Sequence, residues 1–275
     1  MRLGFDLGGT KLLMVADGAG GRVVERVPTG VSFDGAALER AISGFAERQG
    51  AAAEAVGLAI PGLVGAGPSV QACDVLPALV GWRPPAGLAR GARFAMVNDA
   101  AAALVEECHD APADVTAAVV MVGTGLGVAM LAPGRPFGGA RGWAGELGSI
   151  PIKAADEGVR TLDQMASGEA LVRRLGVDGA AVRTRAEGGD PEALQAICDA
   201  GTALGLGLAT LIDIVNPAIV ALGGGVTDLP GYLQAALATA EERALPDLWA
   251  ACAVRRVRAG ELVAALGAAR AAARS

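Results

Sequence analysis

The stretch Asp6-Leu7-Gly8-Gly9-Thr10-Lys11 combines a carboxylate, two glycines, a hydroxyl and an ammonium. Apolar runs at 3–5 and 12–15 flank it, so the glycines fall where one strand reverses tightly into the next. Backbone N–H groups on such a turn form a concavity for anions, and Thr10 and Lys11 add a hydroxyl donor and a positive charge beside it. Asp6 would repel a phosphate there unless a divalent cation lay between them. The stretch therefore implies a metal–nucleotide complex, with Asp6 on the metal or on its water. The plain alternative is a Gly-rich hairpin carrying a solvated lysine.

Further along, Gly123-Thr124-Gly125-Leu126-Gly127 repeats the design between apolar strands at 117–122 and 128–131. No helix follows Gly127, so this is not a dinucleotide fingerprint despite its glycine spacing. Two such hairpins, one in each half, suggest a duplicated architecture whose halves face each other across bound phosphates. Asn98-Asp99 stands between a strand at 94–97 and an Ala-rich helix at 100–107, the junction where α/β folds bind ligands. Helix capping would explain the same residue types. Glu146 sits among small residues in the loop 142–149, able to accept two hydroxyl hydrogen bonds, or is simply an exposed loop glutamate. Gly223-Gly224-Gly225 leads from a strand at 219–222 towards a helix at about 232–244, which lets a flat or anionic group approach the backbone. Pro61-Gly62 ends a buried strand at 56–60 and signals a turn.

The elements that must hold these groups read as alternating strands and helices. A strand at 22–27 follows the first hairpin. Leu38, Ala41, Ile42 and Phe45 predict an amphipathic helix over 37–49, and 65–92 is an irregular segment with one strand at most. A helix starts near Thr161 or Leu162. A long helix fills 191–215 and stops at Asn216-Pro217, and its Gly201, Gly205 and Gly207 demand close packing against a neighbour. A strand at 253–257 and a helix at 261–274 close the chain. The expected division is a small lobe, 1–110, with the helix of 260–275 packing back on it, and a large lobe, 111–259.

With 275 residues, 52% hydrophobic and 19% charged, the chain is globular and can bury a large core. Its net charge of −6 argues against nucleic acid or an anionic membrane as principal partner, so a phosphate must be held by local donors. Cys73, Cys108, Cys198 and Cys252 are widely spaced and read as buried thiols of a reducing compartment. Neither a signal region nor a run of about 18 apolar residues is present, which predicts a cytoplasmic protein.

Taken together these pieces resemble the ROK family of sugar kinases, within the fold group of actin, hexokinase and Hsp70. The likeness covers nearly the whole chain in order, adding Ile60-Pro61-Gly62, Ala166-Ser167-Gly168 and Gly267-Ala268-Ala269 to the motifs above. It implies an α/β, two-lobed ATPase fold of duplicated ribonuclease H-like domains, with ATP and Mg²⁺ in a cleft between the lobes and a sugar hydroxyl presented to the γ-phosphate. Asp99 would be the catalytic base. Pro61, Gly62, Asn98, Glu146, Ser149 and Asp163 would line the sugar side. Gly8, Gly9, Thr10, Lys11, Gly123, Thr124 and Gly125 would take the phosphates, Gly223, Gly224 and Gly225 the adenosine side, and Asp6 the Mg²⁺, directly or through water. A homodimer is also implied.

Three departures stand out. Ser149 replaces the family's usual His, and Asp163 the usual Glu. The stretch matching the zinc motif, 156–161, has no Cys or His, and His109 is the only histidine, so no structural zinc is expected. The first two changes fall on the anomeric side of the sugar and favour a substrate other than glucose. N-acetylated hexosamines, kanosamine and valiolone-type cyclitols stay open beside it. Two competing classes are a ROK-type sugar-binding regulator, whose helix-turn-helix would have no room in the five residues before Asp6, and an actin-like ATPase without sugar kinase activity.

Overall fold

The computed structural model describes residues 1–50, 52–65, 67–154 and 158–275. Asp156 and Glu157, which open the zinc-motif stretch, and Ala66 of the irregular segment lie outside them. The chain divides into two compact units, Met1–Ala111 with Arg258–Ser275, and Pro112–Val257.

The first unit opens with β1 (Arg2–Leu7), β2 (Lys11–Gly18) and β3 (Gly21–Pro28), followed by α1 (Gly35–Gln49) and β4 (Ala55–Ile60). A small hairpin, β5 (Leu63–Val64) and β6 (Val70–Ala72), precedes β7 (Arg93–Asn98) and α2 (Asp99–Glu107). The five large strands form one sheet in the order β3-β2-β1-β4-β7, antiparallel on the hairpin side and parallel across β1, β4 and β7. Strands β1, β2 and β4 are apolar with little alternation because both sheet faces are covered, and β4 is buried at every position. Asp34 caps α1 by accepting the Ala37 N–H at 2.8 Å. Leu38, Ile42 and Phe45 form its buried face, and Gly50, in the left-handed region, ends it.

The second unit has β8 (Ala117–Val122), β9 (Leu126–Leu131), β10 (Pro151–Ala154), β11 (Gly158–Thr161), α3 (Asp163–Ala166), α4 (Gly168–Leu175) and α5 (Gly179–Glu187). It continues with α6 (Pro191–Val215), β12 (Ile219–Gly223), α7 (Tyr232–Arg243), α8 (Pro246–Ala251) and β13 (Ala253–Arg256). Its main sheet runs β9-β8-β12-β13, with β8–β9 antiparallel and the other pairs parallel. That is the order and sense of β2-β1-β4-β7, so the duplication suggested by two glycine hairpins is present in the topology. Strand β9 starts at Leu126, earlier than its apolar run suggested, because Leu126 pairs with Val122. The irregular segment 65–92 holds one short strand, β6, as expected, and a 3₁₀ turn, Pro77–Leu79; the partner of β6, β5, lies just ahead of it. Helices α4, α5 and α8 and the β10–β11 hairpin were not anticipated.

Glycines let α6 meet its neighbours at the backbone. A Cβ on Gly201 would come within 2.3 Å of the Tyr232 carbonyl oxygen, and one on Gly205 within 2.6 Å of the Ala236 oxygen, so α7 crosses directly over α6. Gly207 makes room for Leu162, where a Cβ would lie 2.4 Å from Cδ2. Helix α6 is long and apolar enough to cross a membrane, but 61% of its most apolar window is buried, as in a core helix. All four cysteines are free, and the expectation that they are buried holds for Cys73 and Cys252 only. Cys198 is exposed on the solvent side of α6, and Cys108 is half-buried just past α2.

The chain returns to the first unit at Arg258, whose guanidinium donates to both Asp110 carboxylate oxygens at 2.7 Å and to the Glu107 carbonyl at 2.6 Å. This contact holds the Asp110 carboxyl far below the usual carboxylate range. The final helix, α9 (Val263–Arg274), then lies on the sheet. A Cβ on Gly4 of β1 or Gly57 of β4 would stand 2.0 Å from the backbone of Ala265 or Ala268, and one on Gly267 would stand 1.8 Å from the Ala102 carbonyl oxygen of α2. Helix α9 therefore touches β1, β4 and α2 without intervening side chains. Gly57→Ala and Gly267→Ala should each destabilise the protein by about 1–3 kcal/mol or more through overpacking. Gly87→Ala, where a Cβ meets nothing within 4 Å, should change little. Urea unfolding of the three variants would check the difference.

Candidate active site

In the first unit the site residues gather at the carboxyl ends of β1, β4 and β7. The β1–β2 register sets Asp6 opposite Leu13 and leaves Gly8, Gly9 and Thr10 as the connection, closed by Gly8 N–H to the Lys11 carbonyl at 2.9 Å. Thr29 fastens the turn from the end of β3: its hydroxyl donates to the Gly8 carbonyl at 2.7 Å and its N–H to the Thr10 carbonyl at 3.1 Å. Gly9 is required because a Cβ there would lie 2.5 Å from Val75 Cγ1. The Lys11 ammonium, expected to face an anion, sits on Glu261 at 2.7 Å.

Two strands away, Asn98 takes the N-cap of α2, accepting the Ala101 N–H at 3.1 Å. Its amide donates to the Gly62 carbonyl at 3.0 Å and also hydrogen-bonds the Asp99 carboxylate. Gly62 itself has φ +94° and lies against Ala72, where a Cβ would be 2.1 Å from the carbonyl oxygen. Most of the Asn98 amide is thus committed to the protein. The capping explanation applies to Asn98 and not to Asp99, which accepts the Ala100 N–H at 2.8 Å from the first helical position.

Burial drives the electrostatics. It raises the Asp99 carboxyl above its ordinary value, against the pull of the Ala100 N–H and the Asn98 amide. Asp6 is raised to about 7, by burial first and by the Asp99 charge second, with Lys11 opposing and Glu261 adding to the rise. No hydrogen-bond donor among the described residues meets the Asp6 carboxylate. A half-buried acid without a donor, beside a glycine turn, fits a divalent cation or its waters. Among the described residues no three His, Cys, Asp or Glu side chains converge to hold a metal ion. A Mg²⁺ carried by phosphates needs only one or two carboxylates from the protein.

In the second unit, Gly123 N–H bonds the Gly125 carbonyl at 2.9 Å, and the start of α4 supports the turn. The Gly168 and Glu169 N–H groups donate to the Gly123 and Thr124 carbonyls at 2.8 and 3.0 Å, while Ser167 caps α4. With those carbonyls occupied, the open side of the turn is clear: a Cβ on Gly123 would meet nothing within 4 Å. Asp163, expected on the sugar side, accepts the Leu126 N–H at 2.7 Å and lies 3.4 Å from a Cβ built on Gly125. Its reach is used to brace the glycine turn. The same side chain packs near Gly148, so it links that turn to the loop carrying Glu146 and Ser149.

Gly145 has φ +104° and sits on Val128, where a Cβ would be 2.3 Å from the carbonyl oxygen, and a 3₁₀ turn, Leu147–Ser149, follows. Glu146 and Ser149 are exposed, and among the described residues nothing pairs with the Glu146 carboxylate. Gly223 ends β12, Gly224 has φ +94° against Val122, and Gly225 opens a 3₁₀ turn, Gly225–Asp228, that precedes α7. The Thr227 hydroxyl donates to the Gly224 carbonyl at 2.7 Å and Arg183 to the Gly225 carbonyl at 3.0 Å. Thr29, Thr227, Arg183 and Glu261 were missing from the sequence reading. Each acts through a partner distant in sequence or on an element that periodicity did not reveal.

The two sheets of like order, each with a glycine turn at the first hairpin, define the ATPase fold of actin, hexokinase and Hsp70. The chain belongs to the ROK family, whose model matches residues 2–275. A ROK hexokinase from Thermus thermophilus superposes with a TM-score of 0.75 at 32% identity, over 98% of this chain and 96% of that one. N-acetylmannosamine kinase of Escherichia coli O139:H28 is 30% identical over 259 residues, 84% of this chain and 85% of that protein. The bifunctional enzyme NanE/NanK of Brucella suis is 32% identical over 154 residues, 54% of this chain; the match spans only 29% of that longer protein.

The raised Asp6 predicts a pH dependence of stability. A carboxyl near 7 in the folded state and 3.8 otherwise favours folding fully below about 4, and that contribution is lost as pH rises through about 7. Such a shift corresponds to a ceiling of about 4 kcal/mol. Without added metal, the melting temperature should fall from pH 5 to pH 8 more steeply in the natural protein than in Asp6→Asn. Parallel slopes would contradict this electrostatic description.

Proposed function

We propose that the chain is an ATP-dependent kinase acting on the primary, 6-type hydroxyl of a hexose, an amino sugar or a sugar-like cyclitol, with Asp99 as general base. The observation that supports this most is the division of labour at the start of α2. Asn98 performs the capping, which leaves a half-buried carboxylate with a raised proton affinity at the end of a parallel strand. Phosphoryl transfer rests on positioning and charge neutralisation, with a carboxylate orienting the attacking hydroxyl. A base whose pKa is raised towards working pH accepts that proton more effectively.

Bound Mg·ATP supplies the electrophilic phosphoryl group and the cation that offsets its charge. The N–H groups of Gly8, Gly9 and Thr10, with Lys11, would bind phosphate oxygens, as would Gly123, Thr124 and Gly125. Asp6 would hold the Mg²⁺ or its waters, and Gly223, Gly224 and Gly225 would face the adenosine. On the sugar side Glu146 offers an unpaired carboxylate and Ser149 a hydroxyl. Pro61 and Gly62 shape the backbone, and Asn98 contributes through the remaining lone pair of its amide oxygen while orienting Asp99. Asp163 acts mainly on the glycine turn. Family likeness supports a homodimer.

A coupled ADP-release assay over hexoses, amino sugars and cyclitols should find at least one substrate, and silence across the whole panel would refute the kinase reading. Asp99→Asn should lower kcat by about 10²–10⁴-fold, the usual contribution of a general base, while nucleotide affinity is retained. The acid limb of kcat/KM should lie above the ordinary carboxylate range, because burial raises Asp99.

A further inference from the structure

Glu261 lies in the 3₁₀ turn Gly260–Leu262 that leads into α9, and no motif points to it. Its two carboxylate oxygens are divided between two cations. One accepts the Lys11 ammonium at 2.7 Å and the other the Arg26 guanidinium. Lys11 begins β2 immediately after the glycine turn, and Arg26 faces Leu13 from β3. All three side chains are close to half exposed, at 46–47%, so water screens the cluster and its contribution to folding is small. Its effect is one of placement. A lysine on a flexible four-carbon stem ordinarily samples many positions. Here the ammonium is held at a carboxylate on the turn that leads into the helix resting on the backbone of β1 and β4.

Two consequences follow for an anion at Gly8–Thr10. The lysine beside the turn is already neutralised, so a phosphate must compete with Glu261 for the ammonium. The Glu261 carboxylate, 2.7 Å from an ammonium that adjoins the turn, also sets a negative charge close to it.

We infer that Glu261 is a positioning residue that withholds Lys11 from the phosphate turn and so sets the affinity for a nucleoside triphosphate. This rests on the reading of Gly8–Lys11 as a phosphate site. Removing the charge frees the ammonium and lifts a repulsion from a polyanion. Glu261→Gln should therefore bind Mg·ATP about three- to ten-fold more tightly at low ionic strength, with the gain shrinking as salt rises.

The test is calorimetric titration of Mg·ATP, with no sugar present, into the natural protein, Glu261→Gln, Lys11→Met and the double variant. Lys11→Met should weaken binding, and the gain from Glu261→Gln should be smaller in its background, where only the lifted repulsion remains. Glu261→Asp, which keeps the charge but shortens the reach, should fall between the natural protein and Glu261→Gln, and it serves as the test if Glu261→Gln does not fold. Binding by Glu261→Gln that is unchanged or weaker, or an equal gain with and without Lys11, would overturn the inference and leave the kinase reading standing. Failure of the natural protein to bind Mg·ATP at all would remove the phosphate site, and this inference with it.

Discussion

The contact on which the first unit depends is the approach of α9 to the sheet with no side chain between them. Gly4 and Gly57 admit the helix backbone to β1 and β4, and Gly267 admits α2 to the other side of the same helix. Interiors packed this closely transmit position rigidly. Asp6 follows Gly4 on β1, Pro61-Gly62 ends β4, and Asp99 opens α2. One helix made mostly of alanine therefore fixes the mutual placement of the acid suited to a metal, the turn beside the sugar positions and the acid suited to a proton. The second unit uses the same device between α6 and α7, through Gly201 and Gly205.

Among the described residues burial raises three carboxylates, and what distinguishes them is the number of donors each has. Asp99 has a backbone N–H and the Asn98 amide, which hold it in one orientation while leaving its proton affinity raised. Asp163 has the Leu126 N–H, which ties it to the glycine turn. Asp6 has none among the described residues, and its like-charged neighbour Asp99 adds to the strain of ionising it. An acid left without a donor gains most from a cation, whereas the donors that fix the Asp99 carboxylate in place lower its proton affinity without cancelling the rise that burial gives it. The chemistry assigned to each follows from its hydrogen bonds as much as from its residue type.

Much of this was legible in the sequence wherever a group's task depends on its immediate neighbours. The glycine hairpins, the Asn98-Asp99 junction and the close packing required by Gly201, Gly205 and Gly207 are local signals, and the structure contains all of them. Contacts that depend on pairing register were not legible. Thr29 reaches the first turn because β2 pairs with β3, and Lys11 meets a partner 250 positions away. Helices α4 and α5 escaped notice because they are short and bury few residues each, Ala170 and Leu171 in one and Val182 and Ala186 in the other, which leaves little apolar period to read. Arg183, carried by α5, was hidden with its helix.

Asp163 shows how a local backbone contact can claim a carboxylate that the sequence suggests for another task. Read as a replacement for a longer acid, it belongs beside the sugar, but its position at the start of α3 puts its oxygen on the Leu126 N–H, next to Gly125. Carboxylate capacity committed to the backbone is withdrawn from a substrate hydroxyl, and an unmade hydrogen bond to a buried hydroxyl costs on the order of 1–3 kcal/mol. With Ser149 exposed and Glu146 unpaired, the polar groups left on that loop are a short hydroxyl and one carboxylate.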